Sequence, residues 1–204
     1  MIAIVDYGVG NLFSLEQSFR AIGHEVVVTA DPQVLHGADK ILLPGVGAFG
    51  DAAEKLRATG LDQVVIAEAK AGKPLMGICL GMQLLFEEGH EYGVHKGLGL
   101  ISGKVVPMAG VIPEDLKIPH MGWNALNIQK ESPLFAHIQN GDCVYFVHSF
   151  YADQCDEAVI ATAEYGAPLT AAVQKGNIFG CQFHPEKSGT VGLNILRAFA
   201  EQEG

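Results

Sequence analysis

An α/β fold, with a mostly parallel central sheet, helices on both faces and a β extension, is predicted by three features of the sequence. Strand-like and helix-like segments alternate at short intervals through the first two-thirds of the chain, the pattern of a parallel sheet with crossover helices. From about Lys96 the segments become almost entirely strand-like, with turn residues between them. A last segment, about Thr190 to Glu201, has the spacing of a closing helix.

Taken in order, "IAIVD" reads as a strand and Asn11 to Ile22 as a helix with Leu12, Leu15, Phe19 and Ile22 on one face. "EVVVT" and "KILLPG" are the second and third strands, Phe49 to Lys70 holds one or two helices, "PLMGI" is a fourth strand, and "LGMQLLFEEG" is a further helix. "GLISGKVVPM", "WNALNIQK", "CVYFVHSFY", "AVIATAEYG", "LTAAVQKG" and "IFGCQFHP" then form an antiparallel or mixed β extension abutting the sheet. No repeat, low-complexity tract or linker interrupts the chain, so one domain is expected over residues 1–204.

The 204 residues are 49% apolar and 18% charged with 9 prolines, a balance that excludes disordered and fibrous classes. A formal charge of -10 sets phosphate backbones against the chain, so no nucleic-acid partner is expected. The N-terminus enters a strand pattern without a basic leader, and no apolar run approaches the roughly 18 residues of a membrane span. A cytoplasmic protein with no membrane contact is expected. Cys79, Cys143, Cys155 and Cys181 form no C-x-x-C pair and have no His at ligand spacing, so neither metal nor cofactor is expected. Buried, inert thiols are the expectation for Cys143, Cys155 and Cys181.

Cys79 differs. "PLMGICLGMQLL" changes period from strand to helix at Cys79, and "GICLG" fits the G-x-nucleophile-x-G pattern of a nucleophile elbow. The glycines leave room for a strained turn, while the helix start supplies unpaired N–H groups and a positive dipole end that favour a thiolate and a developing oxyanion. A buried Cys in a glycine-rich turn would give the same five residues, so a base must also be found. His184 follows the last strand, at the edge where parallel sheets keep their sites. Pro185 holds it extended, and Glu186, two residues on, points the same way to orient it. A surface "HPE" turn is the bland alternative; thiol and "HPE" each supply what the other lacks.

"GVGAFG", Gly45 to Gly50, matches G-x-G-x-x-G literally, yet it follows the third strand, and Lys70 stands where a dinucleotide site needs an acid. "PGVG" is better read as a second source of backbone N–H groups for an oxyanion hole, with Gly47 the chosen donor.

"GICLGMQ", "PGVG" and "FHPEKS" together resemble the class I, triad-type glutamine amidotransferases, whose cysteine removes the amide of glutamine and releases ammonia. "DYGVGNLFS", "PHMGWN" from Pro119 and "YFVHSFY" from Tyr145 are similar to the glutaminase subunits of imidazole glycerol phosphate synthases, in histidine biosynthesis. The six motifs stand in the family's order along the whole chain. The resemblance implies Cys79 as nucleophile, His184 as base and then acid, Glu186 as orienter, and the amides of Gly47 and Leu80 as oxyanion hole. It implies that Gln83, Glu91, Ser149 and Phe150 hold glutamine, and that Asn11, Met121, Trp123 and Lys187 lie near a subunit interface. The lone Trp123 could equally be a core aromatic. Val9 stands where the family often has proline, and Phe150 where it often has tyrosine.

The implied partner is a (β/α)8 cyclase subunit, forming a heterodimer and receiving ammonia through a channel. Released into water near pH 7, ammonia is mostly protonated and lost as a nucleophile, so a glutaminase with no synthase in its own chain needs such a partner. The glycines of "PGVG" and the family's behaviour imply a loop that rearranges when that partner is ligated. Three other readings remain: the same chemistry serving a different synthase, for example in surface-sugar modification; a binding module that lost the reaction; and a cysteine peptidase or other thiol hydrolase.

Overall fold

The computed structural model describes residues 1–202, so the last two residues of the expected 1–204 domain lie outside the described residues. The first part of the chain runs β1 (Ile2–Val5), α1 (Leu12–Ala21), β2 (Val26–Thr29), α2 (Pro32–Gly37), β3 (Lys40–Leu43), α3 (Phe49–Ala58), α4 (Leu61–Lys70), β4 (Leu75–Ile78) and α5 (Leu80–Leu84). It continues as β5 (Glu88–Gly89), β6 (His95–Lys96), β7 (Lys104–Pro107), β8 (His120–Ile128), β9 (Cys143–His148), β10 (Phe150–Asp153), β11 (Val159–Glu164), β12 (Pro168–Lys175) and β13 (Ile178–Cys181). A 3₁₀ turn at Pro185–Lys187 leads into α6 (Gly189–Ala200).

The main sheet has nine strands in the order β2-β1-β3-β4-β13-β12-β11-β8-β9. β2, β1, β3, β4 and β13 are mutually parallel; each later neighbour is antiparallel. Side chains alternate across it with period two. Ile2, Ile4, Leu42, Met76 and Phe179 enter the core shared with α1 and α6, through Leu15, Phe19, Ile195 and Phe199. Ala3, Val5, Ile41, Leu43 and Leu75 enter the opposite core, with Leu35, Leu56, Leu61 and Val65 of α2, α3 and α4. Helices therefore cover both faces, as a parallel sheet buried on two sides requires.

Four details differ from the sequence reading. The β extension joins the central sheet edge to edge, and a separate four-stranded sheet, β10-β7-β5-β6, packs beside it. A short helix at Pro32–Gly37 is added, started by Asp31 accepting from the Gln33 N–H with Pro32 in the first turn. The helix after Cys79 stops at Leu84 because the carbonyls of Leu84, Leu85 and Phe86 accept from Leu98, Leu100 and Gly99 instead of from another helical turn. Cys143, expected buried, is exposed at the start of an edge strand, while Cys155 and Cys181 are buried. Phe49 to Lys70 is two helices, broken at Gly60 with φ 72°.

Candidate active site

β4 ends at Ile78 and α5 begins at Leu80, leaving Cys79 alone in the turn at φ 54°, ψ −114°. A positive φ on a non-glycine residue costs about 1–3 kcal/mol and persists only where its surroundings enforce it. Here the Cys79 N–H donates to the Cys181 carbonyl at 2.8 Å. A Cβ on Gly77 would lie 2.6 Å from the Gly81 oxygen, and one on Gly81 only 1.8 Å from the Leu43 oxygen. The elbow therefore closes against β3 only with glycine on both sides. A Cβ on Gly45 would sit 2.7 Å from the Gly81 nitrogen, so the "PGVG" loop seats directly on the elbow, and the buried Tyr7 hydroxyl donates to the Pro44 carbonyl to hold it there.

His184 leaves β13 extended, at φ −97°, ψ 99°, and the 3₁₀ turn that follows brings Glu186 back beside it. The imidazole Nδ1 donates to Glu186 Oε1 at 2.8 Å, with both side chains almost wholly buried. The second carboxylate oxygen is buried with no hydrogen-bond partner among the described residues. Burial alone would lower the His184 pKa, but the Cys79 sulfur and the Glu186 carboxylate outweigh it and push it up to about 10. Edge strand β9 fixes this segment: the Tyr145 carbonyl accepts from the His184 N–H at 3.0 Å, and Ser188 Oγ accepts from the Tyr145 N–H at 2.9 Å.

A cavity of about 340 Å³ opens at the carboxyl edge of the sheet, lined among others by Gly47, Cys79, Leu80, Glu91, Ser149 and His184. Gln83 and Phe150 also line it, so the structure brings together every expected catalytic, oxyanion and glutamine-holding residue except the orienter, which lies behind His184. Leu80 opens α5, where N–H groups lack helical partners, and Gly47 takes φ 99°, which favours glycine. Glu91 Oε2 already accepts from the Phe49 N–H at 2.7 Å, at the start of α3. A wider cleft of about 630 Å³ beside Cys155 and Lys175 carries no such set.

The expected interface residues lie in different settings. Met121 and Trp123 are 61% and 56% exposed, so Trp123 is a surface aromatic, set edge-on to Tyr145 with ring centres 6.0 Å apart. Across the strand pair they face Val147 and Tyr145, and Val147 lines the cavity. Lys187 is exposed beside the Glu186 turn, and Asn11 precedes α1, half-buried.

Two residues escaped the sequence reading. Gln182, fully buried, points its Nε2 at the Cys79 sulfur, 3.8 Å away, while its Oε1 accepts from Gln83 Nε2 at 3.0 Å. It is two residues before His184, and the alternation that aligned His184 with its neighbours would have placed it on the same side. His148, within "YFVHSFY", donates from Nδ1 to the Phe150 carbonyl at 2.9 Å, and its other nitrogen meets His120 Nδ1 at 3.0 Å. Burial holds the His148 pKa down at about 4, so it is neutral near pH 7.

The fold, the elbow and the thiol beside a carboxylate-held histidine define a glutamine amidotransferase of class I. A family model described as "Glutamine amidotransferase class-I" matches residues 3–202, and the chain belongs to that family. The chain is 48% identical to "Imidazole glycerol phosphate synthase subunit HisH" of Syntrophotalea carbinolica, over 98% of this chain and 100% of that protein. It is 50% identical to the protein of that name from Methanothermobacter thermautotrophicus, over 98% of each, and 48% identical to that of Bacillus subtilis, over 98% of this chain and 96% of the other. Among solved structures, one titled "Crystal structure of glutamine amidotransferase" matches with TM-score 0.76 at 20% identity over 98% of each chain. PurLQS from Thermotoga maritima matches at TM-score 0.75 and 21% identity, covering 98% of this chain and 96% of that one, a likeness of fold. No helix among the described residues is long and apolar enough to cross a membrane.

Proposed function

We propose that this chain is the glutaminase subunit of a cytoplasmic imidazole glycerol phosphate synthase, a single domain that hydrolyses glutamine and hands the ammonia to a cyclase subunit docked on it. His184 takes the proton of the Cys79 thiol, and the sulfur attacks the side-chain carbonyl carbon of glutamine, forming a C–S bond and an oxyanion received by the N–H groups of Gly47 and Leu80. His184 gives its proton to the amide nitrogen as the C–N bond breaks, releasing ammonia and leaving a thioester. Water then attacks the thioester as His184 takes its proton, and the C–S bond breaks to give glutamate and a thiolate, to which His184 returns the proton. Glu186 holds the imidazole and stabilises its cationic form. Gln83, Glu91, Ser149 and Phe150 hold the glutamine backbone.

One observation supports this above the rest: the strained thiol, the carboxylate-held histidine and two candidate oxyanion donors surround one small cavity. The relatives' name supports the partner, as does the placement of Met121 and Trp123 on the sheet face that runs into the cavity at Val147. In this reading Asn11 and Lys187 belong to the same interface, ammonia passes from cavity to partner without meeting solvent, and the loop carrying Gly47 adjusts when the partner is ligated. The chemistry is tested by quenching the protein during turnover with glutamine and mapping adducts by mass spectrometry. A glutamyl group on the Cys79 peptide, absent from Cys79→Ala, is expected; ammonia release by Cys79→Ala would overturn the assignment.

A further inference from the structure

We propose that Gln182 is a fourth member of the catalytic set, donating through its side-chain amide to the Cys79 sulfur and stabilising the thiolate that attacks glutamine; the inference rests on the glutaminase reading above. The orientation of the amide is determined by its neighbours. The Phe150 main-chain oxygen can only accept, so the end of the Gln83 amide that meets it at 3.3 Å is the NH2 group. That same NH2 reaches Gln182 at 3.0 Å, so Gln182 must present its oxygen to Gln83. Its own NH2 is then turned to the Cys79 sulfur at 3.8 Å. The Phe150 carbonyl at the head of this chain is fixed in turn by His148 Nδ1 at 2.9 Å, and the Gln182 main-chain N–H is held by the Ala171 carbonyl at 2.8 Å.

An amide N–H gains little from a neutral thiol, a weak acceptor, but forms a shorter, charge-assisted bond to a thiolate. The contact therefore favours the reactive form over the resting one, the property that distinguishes a catalytic contact from a merely structural one. A fully buried amide also needs partners on both ends, and here the sulfur is the partner of the donor end. Gln182 does not line the cavity, and Gln182→Glu keeps the oxygen to which Gln83 donates, so that change leaves the glutamine-holding residues in place.

The test uses Gln182→Glu, which keeps the acceptor and shape but loses the donor, Gln182→Met, which loses both, and Gln83→Leu, which releases the Gln182 amide to rotate. Alkylation of Cys79 by iodoacetamide is followed against pH on the isolated chain, with peptide mapping to separate it from exposed Cys143. Steady-state glutaminase kinetics of the two Gln182 variants are measured in complex with the cyclase and its nucleotide ligand. All three variants should move the alkylation midpoint to higher pH, and both Gln182 variants should lower kcat roughly ten-fold, with KM for glutamine unchanged in Gln182→Glu. Unshifted alkylation in all three, or a raised KM with kcat retained, would overturn the proposal and leave Gln182 a support for Gln83. Alkylation reports on the thiol whatever its substrate, so failure of the glutaminase reading would show separately, as activity surviving in Cys79→Ala.

Discussion

At the scale of single residues, the site contains two buried histidines tuned in opposite directions. His184 is held up at about 10, above its ordinary 6.5, so its stabilising contribution is complete below pH 6.5 and is lost as pH rises toward 10. His148 is held down at about 4, so its contribution is complete above pH 6.5 and is lost as pH falls toward 4, a difference of about 3 kcal/mol. Urea midpoints should therefore fall on both sides of a neutral optimum, and His148→Gln, which keeps a donor for Phe150, should flatten the acid side alone. The placement of Cys79 and His184 at one sheet edge was legible because glycine spacing and a proline after the histidine report backbone geometry directly. Gln182 was not, since an amide two residues before a histidine has no distinctive spacing, and its role depends on Gln83, 99 positions away. Trp123 was ambiguous for a similar reason: a lone aromatic in a strand is core or surface according to which face is covered, which only the tertiary structure decides.

At the scale of elements, the elbow is a three-body junction of β3, β4 and α5 that tolerates no side chain at Gly81. Gly81→Ala places a methyl against the Leu43 carbonyl, which belongs to a central strand and cannot yield. A destabilisation of at least about 3 kcal/mol, or failure to accumulate folded protein, is expected in thermal melts, well beyond an ordinary helix Gly→Ala change. The strand and helix alternation was legible here because the parallel strands are buried on both faces and carry short continuous apolar runs. The early stop of α5 was not, because Leu85 and Phe86 continue the helical spacing while their carbonyls are claimed by Leu98–Ile101, a contact local periodicity does not encode. Likewise "DPQ" at Asp31 carried a helix-start signal, but a six-residue helix is too short for apolar periodicity to mark it.

At the scale of the whole molecule, the sheet divides the chain into two cores and gathers the ends of β3, β4 and β13 at one edge, where the glycine loop, the thiol and the histidine meet. The antiparallel extension carries Met121 and Trp123 to the rim of that edge, so a partner docked there would cover the cavity mouth. The chain's class was legible from "GICLGMQ", "PGVG" and "FHPEKS", whereas the joining of the extension to the main sheet was not, because strand order is a property of long-range pairing. The most direct measurement is ammonia release from glutamine by the chain alone, with an imidazole glycerol phosphate synthase cyclase subunit, and with that subunit plus its nucleotide ligand. A strong rise only in the complete mixture is predicted, and a high rate from the chain alone, indifferent to the cyclase and its ligand, would contradict the coupled subunit described here.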